Sequence, residues 1–421
     1  MARELDAQLT DEQAALRKRA REFARDVVRP AAAVLDHMAD PAALSAPSSP
    51  LWRVFREAYR LGYHRALLPT EVGGLGFGGL EQHLLFEELG WGSADLALAL
   101  GIAAVPFVVI AQTGNLDLIE QYVRPFAEDV EGRTIGCWAI TEPEHGSDTL
   151  MLGTPQFHDP RISGNLIARS DREYYVLTGE KAAWVSNGAI ATHALTFVAL
   201  DPGRGMAGGG VAIVPLRSRG VSRGKAFDKL GQRALSQGEL GFDEVRIHES
   251  EMITDSSLYE LILDRTLTLV NGVMSAVFTG LARAAYEAAL DYSRKRVQGG
   301  KAICEHQLVQ KRLFDMFARV EACRALSRAA TIRNHAVVPS AIELALAAKT
   351  FCTETALAVA DSAVQLFGAN GLTREYPVEK LLRDARTSLL QHGSNEILAL
   401  VGARRLIKAA GGPVDNRRGL A

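Results

Sequence analysis

The feature that most restricts the fold is a double change of hydrophobic period along the 421 residues. From Thr10 to about Phe126 apolar residues recur at three- and four-residue steps, the repeat of an amphipathic helix. Thr10-Asp11-Glu12-Gln13 is a capping-box pattern, and the helix it opens is expected to stop near Pro30. The stretch PAALSAPSSP, residues 41–50, reads as a loop, and helices are expected at 51–62, 80–90, 93–111 and 116–126. Between about Thr134 and Ile253 the pattern changes. YYVLTGEKAAWVSNG, HALTFVAL, GGVAIVPL and LGFDEVRI are short segments rich in β-branched and aromatic residues, punctuated by Gly, Asp and Pro, and they predict an antiparallel β domain. After Asp255 the helical period returns, with helices expected at 257–296, 306–335, 340–367, 377–390 and 394–410 joined by short connections. The class is therefore α+β: an N-terminal α-helical domain over 1–133, a middle antiparallel β domain over 134–254, a C-terminal antiparallel four-helix-type bundle over 255–412, and a flexible tail, 413–421.

Several function classes drop out at this point. Lys and Arg number 47 against 49 Asp and Glu, with the signs interspersed, so no basic face offers itself to nucleic acid. The longest uncharged stretch, Leu96 to Leu116, is interrupted by Gly101, Pro106, Gln112 and Gly114 and falls short of the about 20 apolar residues of a membrane span. It reads as a core helix broken near Pro106. The opening MARELDAQLTDEQ has no apolar signal region, and Cys137, Cys304, Cys323 and Cys352 form no CxxC pair. A cytoplasmic protein with reduced thiols is expected. No HExxH or paired-cysteine spacing suggests a metal, and Ser147 lacks the glycine of a nucleophile elbow. Two GxGxxG matches, Gly74/Gly76/Gly79 and Gly203/Gly205/Gly208, lack the strand–turn–helix setting of a dinucleotide fingerprint, and the second reads as a hairpin loop.

The run Cys137-Trp138-Ala139-Ile140-Thr141-Glu142-Pro143-Glu144-His145-Gly146-Ser147-Asp148 could by itself be a strand ending in a capped turn. Four further strings follow it in order: Gly179-Glu180-Lys181 to Trp184-Val185-Ser186-Asn187-Gly188, RKRVQGGKAICEHQ at 294–307, QLFGANG at 365–371, and LLRDARTSLLQHGSNE at 381–396. With these five strings the chain resembles the acyl-CoA dehydrogenase family, over essentially its whole length and including the α, β, α order. The resemblance implies an FAD-dependent oxidoreductase acting on an acyl thioester of CoA or of an acyl carrier protein. It also implies electron transfer to an electron-transfer flavoprotein or to oxygen, and assembly as a homotetramer or dimer. Carried over by position, Trp138, Ile140, Thr141, Gly146, Ser147, Trp184 and Ser186 would line the flavin, with the Trp184 ring as an apolar wall. Arg296, Gln298 and Gln307, with Gln365, Gly368, Ala369 and Gly371, would hold the pyrophosphate and adenosine across a subunit boundary, and Ser394 and Glu396 complete the cofactor set. On the substrate side stand Ser147, Asn271, Gln391, Gly393 and Arg404.

The sequence also departs from the family. Where many members carry a catalytic glutamate, the string Gln391-His392-Gly393-Ser394 places His392. Other members supply the glutamate from the long helix after the β domain, and counting back from Gly280 that position is Val270 or Asn271. Asn271 also falls where an arginine is common, and Gly299 replaces an aromatic residue. Three readings follow. His392, whose ordinary pKa is about 6.5, is the base of an α,β-dehydrogenation; the site runs oxygenation or elimination without a carboxylate; or the chain is a non-catalytic partner in a mixed oligomer. A bland reading of His392, a capping or core residue beside a glycine turn, stands next to these. Asn271 and Gln391 make the pocket wall polar, which points to a functionalised acyl group.

Overall fold

The structure, a computed structural model, describes residues 9–411; the tail expected at 413–421 lies outside them. Helix α1 (Asp11–Phe23) begins with the capping box, Thr10 and Gln13 bonding each other's backbone N–H. It does not stop at Pro30. A π turn at Ala24–Val28 leads directly into α2 (Arg29–Asp36), and the helix continues through Pro30 just after that turn. Helices α3 (Pro50–Arg60), α4 (Gly79–Gly92) and α5 (Ala94–Thr113) follow, then α6 (Leu116–Leu118) and α7 (Arg124–Glu128), joined by a second π turn. Nor does α5 break at Pro106. Every residue from Ala94 to Ile110 is buried, and that packing outweighs the roughly 3 kcal/mol a mid-helix proline costs. The Pro106 ring lies on Gly136, where a Cβ would stand 2.6 Å from it. This helix and the later helix Tyr259–Lys295 are apolar and long enough to cross a membrane, yet most of the apolar stretch of each is buried in the fold.

The middle segment contributes β1 (Gly136–Ala139), β2 (Ile167–Asp171), β3 (Tyr174–Ser186), β4 (His193–Ala199), β5 (Gly209–Pro215), β6 (Val221–Arg223), β7 (Gln237–His248) and β8 (Met252–Thr254). They form an eight-stranded sheet in the order β6-β7-β3-β1-β4-β5-β8, with β2 alongside β3 and β4. The sheet is mixed, correcting the antiparallel expectation: β1 and β4 run parallel, as does the short β2–β4 contact. Residues 202–208 close the β4–β5 hairpin, as expected of the second glycine-rich match.

The C-terminal helices are α8 (Tyr259–Lys295), α9 (Gln307–Ala336), α10 (Ile342–Phe367), α11 (Val378–Ser388) and α12 (Asn395–Ala409), within a few residues of the sequence periods. A small hairpin, β9 (Val297–Gln298) and β10 (Lys301–Ala302), joins α8 to α9. Helices α4 and α8 touch backbone to backbone. A Cβ on Gly90 would meet the Val277 carbonyl at 2.1 Å, and one on Gly280 the Glu87 carbonyl at 2.1 Å. That contact brings Glu87 and Glu88 of α4 into the core against Arg283 of α8, Arg324 and Arg328 of α9 and Arg21 of α1. Burial by itself would raise the Glu87 pKa, but Arg283, Arg324 and Arg328 hold it far below the usual carboxylate range. Removing one partner of such a network strands the others without compensation. Glu87→Ala is therefore expected to lower stability by about 3–5 kcal/mol, read as a shift of the denaturant midpoint; a loss below about 1 kcal/mol would show that the arginines find water instead.

Candidate functional site

Trp138 and Ser186 stand opposite each other on β1 and β3. Past β1 the chain leaves the sheet through the Ile140–Asp148 turn, which is pinned from beneath. The Glu142 carboxylate takes Lys181 Nζ at 2.6 Å and the N–H groups of Asn165 at 2.5 Å and Leu166 at 3.2 Å. Burial opposes both charges and lowers the Lys181 pKa, yet Lys181 and the two N–H donors keep Glu142 ionised, below its ordinary value. Sequence reasoning did not assign this pair a role. Its signal was a lysine inside strand segment 174–186 and a glutamate just past the apolar strand at 136–139, residues that are almost never fully buried unless paired. Asn187, with φ +65°, donates to the carbonyls of Ala99 and Gly136 and so fixes the end of β3 against α5.

Two strings far apart in sequence meet over this turn. Ser147 Oγ accepts the Ser394 N–H at 2.9 Å, at the start of α12. His392 and Gly393 both take left-handed backbone, φ +54° and +101°, which turns the imidazole inward to 5.2 Å from the Trp138 ring. Part of the His392 residue remains accessible, but both its ring nitrogens are shut off from solvent. Leu67, Leu98, Gly101, Ile102, Val105, Leu269, Val270 and Val273 line the pocket with it. Among the described residues His392 is thus the one polar side chain on that wall. Val270 faces the same space, so the two customary places for a carboxylate converge here and neither holds one.

Behind His392 lies Lys349 of α10, fully buried, its Nζ donating to the Gly393 carbonyl at 2.9 Å and to Asn395 Oδ1 at 2.7 Å. Burial drops its pKa to about 7, against the pull of Glu396 and Glu354. Burial, and then the Lys349 charge, push His392 down to about 3; the Val270 carbonyl favours the protonated form but makes no hydrogen bond of good geometry. The imidazole is therefore neutral across the physiological range. Trp138 Nε1, Asn271 Oδ1, both side-chain polar atoms of Gln391 and both ring nitrogens of His392 are buried with no hydrogen-bond partner among the described residues. Unsatisfied buried groups are rare and costly. Of these only His392 lines the pocket; Asn271 and Gln391, expected to make its wall polar, are not among the lining residues, so the wall is apolar apart from the imidazole.

The remaining predicted residues divide. Arg404 donates to the Gly153 carbonyl at 2.9 Å, and its neighbour Arg405 pairs with Asp264. Glu396 is exposed in the first turn of α12, and Ser394 caps that helix. Trp184 is 56% exposed and stacked on Phe227, so it offers a flat aromatic surface to solvent and closes no pocket in the single chain. Arg296, Gln298 and Gln307, with Gln365, Gly368 and Ala369, lie exposed at the far end of α8, where Tyr292 stacks on Phe367 at 3.9 Å; Gly371 is buried among them. From Val270 to Arg296 is 296 − 270 = 26 residues, about 39 Å along the helix axis. One chain does not bring the two groups of strings together.

Comparison with known proteins agrees with this architecture. Residues 10–129, 137–245 and 263–407 match the acyl-CoA dehydrogenase N-terminal, middle and C-terminal domains. The chain is 31% identical to benzylmalonyl-CoA dehydrogenase of Aromatoleum aromaticum, over 96% of this chain and 100% of that one. Butyryl-CoA dehydrogenase from Megasphaera elsdenii superposes with a TM-score of 0.85 at 28% identity, covering 96% and 100% of the two chains. PigA with FAD and proline does so with a TM-score of 0.83 at 25% identity, covering 96% and 99%.

Lys349→Met removes both the support of the 391–395 turn and the charge next to His392. The expected outcome is a loss of about 1–3 kcal/mol and a rise in the His392 pKa, read by NMR titration of ring-labelled histidine. An unmoved His392 titration would show that Lys349 is neutral in the folded protein.

Proposed function

The chain belongs to the acyl-CoA dehydrogenase family, and from that premise we propose that it binds FAD and desaturates an acyl thioester between Cα and Cβ, with neutral His392 in the place of the carboxylate base. The observation that carries the reading is His392, whose two buried ring nitrogens have no partner among the described residues, in an otherwise apolar pocket beside Trp138. Thr141, Ser147 and Ser186 supply hydroxyls, and Gly146 a backbone amide, on the turn and strands where the flavin would be held. When bound, FAD supplies the acceptor for the hydride that leaves the β-carbon.

The rest of the chemistry falls to the protein. Leu98, Ile102, Val105 and Val270 exclude water from the α-carbon. His392 takes the α-proton on a ring nitrogen, since both nitrogens are without a partner among the described residues and the ring is neutral. An imidazole with a pKa near 3 is a weak base, and the imidazolium it becomes is disfavoured by Lys349. Substrates whose α-proton is already acidified therefore suit this site better than plain fatty acyl groups. The same weakness favours a second reading, flavin chemistry on a thioester that uses no side-chain base.

We further propose a homotetramer or dimer in which Arg296, Gln307 and the 365–371 loop serve a neighbouring chain's cofactor. The separation along α8 supports this, as do the exposed apolar side chains of Val297, Leu308, Phe314 and Leu372 on these elements. An electron-transfer flavoprotein or oxygen would take the electrons.

Anaerobic addition of an α-activated acyl-CoA is expected to bleach the flavin of the wild type and not of His392→Ala; bleaching that survives the substitution removes His392 as base. Because the neutral ring is the competent form and its pKa is lowered to about 3, kcat/KM should hold constant from neutrality down to pH ~5, whereas a histidine of ordinary pKa would fail below about 6.5. The double variant Leu308→Asp, Phe314→Asp should shift the protein to monomer in size-exclusion chromatography and lose its visible absorbance. A monomer that keeps full flavin refutes the shared site.

A further inference from the structure

Trp138, Ser186 and Gln237 form one row across three adjacent strands: Trp138 on β1 pairs with Ser186 on β3, which pairs with Gln237 on β7. Residues directly opposite each other in antiparallel strands project from the same face of a sheet, so all three side chains stand on the side where the Trp138 ring meets His392. The row is buried. Gln237 Nε2 donates to Ser186 Oγ at 3.1 Å, whereas Trp138 Nε1 has no partner among the described residues.

Behind Gln237 lies Lys229, on the loop between β6 and β7. That loop is tied to the helices around it: the Ala234 N–H donates to Asp95, the Gln232 N–H to Asp384, and Arg233 to the Asp36 and Met38 carbonyls. Lys229 Nζ donates to the Leu235 carbonyl at 2.6 Å and to Gln237 Oε1 at 2.8 Å. Burial lowers its pKa to about 7, with Asp95 and Asp384 pulling upward and Arg233 and Lys380 downward. Charged or neutral, the nitrogen has a hydrogen for each of its two acceptors. Phe227 of the same loop stacks on Trp184, so one loop sets both Trp184 and Ser186 of β3.

This chain of bonds has a direction. An ammonium donates and never accepts, so the oxygen of the Gln237 amide faces Lys229 and its NH2 faces Ser186. Ser186 Oγ accepts that bond, which leaves its own proton for another acceptor, and among the described residues the hydroxyl makes no other hydrogen bond. Ser186 and the Trp138 indole therefore offer two donors from one face of the sheet. The isoalloxazine ring of oxidised flavin suits that polarity, because its carbonyl oxygens and unprotonated nitrogens accept and a single ring N–H donates. We propose that Lys229 and Gln237 are positioning residues that fix Ser186 as a hydrogen-bond donor to the flavin. The inference rests on the FAD reading above and gives a role to two residues behind the wall that reading describes.

The test follows FAD release from the diluted holoenzyme, by the rise of flavin fluorescence, together with the flavin's visible absorption bands. Gln237→Glu is nearly isosteric and keeps a bond to Lys229, but a carboxylate only accepts and draws the Ser186 proton away from the flavin. Release is expected to quicken by about tenfold. Gln237→Met leaves the hydroxyl able to rotate and should cost about threefold, and Lys229→Met, which changes the net charge as Gln237→Glu does, should resemble Gln237→Met. A merely structural role predicts the reverse order, since Met loses both hydrogen bonds and Glu neither. In a Ser186→Ala background, Gln237→Glu should alter release by less than about twofold, and each of these two substitutions alone should shift the absorption bands alike. An equal effect of Gln237→Glu with and without the Ser186 hydroxyl, or a larger loss in Gln237→Met than in Gln237→Glu, overturns the proposal. If Gln237→Glu does not fold, Gln237→Met and Lys229→Met complete the same cycle, and effects that persist in Ser186→Ala overturn it equally. Wild-type protein that neither purifies with FAD nor takes it up overturns the FAD reading instead.

Discussion

Two adjacent carboxylates on one helix organise this molecule. Glu87 and Glu88 sit where α4 and α8 meet through Gly90 and Gly280, so close that neither glycine could carry a side chain. Arginines from α1, α8 and α9 close over them. A buried carboxylate without partners would be neutralised or expelled, so the helices satisfy it only by arriving in one arrangement. That arrangement places α8 against α4, and the pocket that holds His392 lies between α8 and α5. The polar network therefore fixes the register of the helices that wall the pocket.

The site itself is assembled from the ends of the chain's middle and last segments. Ser147 accepting the Ser394 N–H is the direct stitch, and the buried Glu142–Lys181 and Lys349–Gly393 contacts hold its two sides from behind. Each support is a charge taken out of water, which is expensive unless the geometry is well matched. The return is a rigid rim around an apolar pocket in which a single imidazole has been set, next to a lysine that discourages its protonation. Replacing a carboxylate by this histidine changes the electrostatics of the pocket from anionic to neutral.

Much of this could be read along the chain. Helix positions in the C-terminal segment, the capping box at Thr10 and the hairpin at 202–208 followed from local patterns because local patterns decide them. Pro30 and Pro106 misled, and for one reason: proline's local cost is a few kcal/mol, and tertiary burial of a whole helix face, or a π turn just before the ring, overrides it. The antiparallel expectation for the sheet failed at β1–β4 because strand direction across a non-consecutive pair leaves no mark in either strand's composition. Lys181 and Lys349 were legible as residues but not as supports, since a buried lysine is recognised only by the partner that compensates it, and those partners lie 39 and 44 residues away in the hydrogen bonds they make.

The sequence by itself determined the family, the order of helical and β segments and the absence of a carboxylate at 392, because these are carried by residue identity and short-range period. Only the tertiary structure decided that His392 is neutral and walled by apolar side chains, and that Val270 faces the same space. Those properties arise from burial and from distances between α5, α8, α10 and β1. Solvation and Coulomb energies depend on such distances, which no stretch of sequence contains.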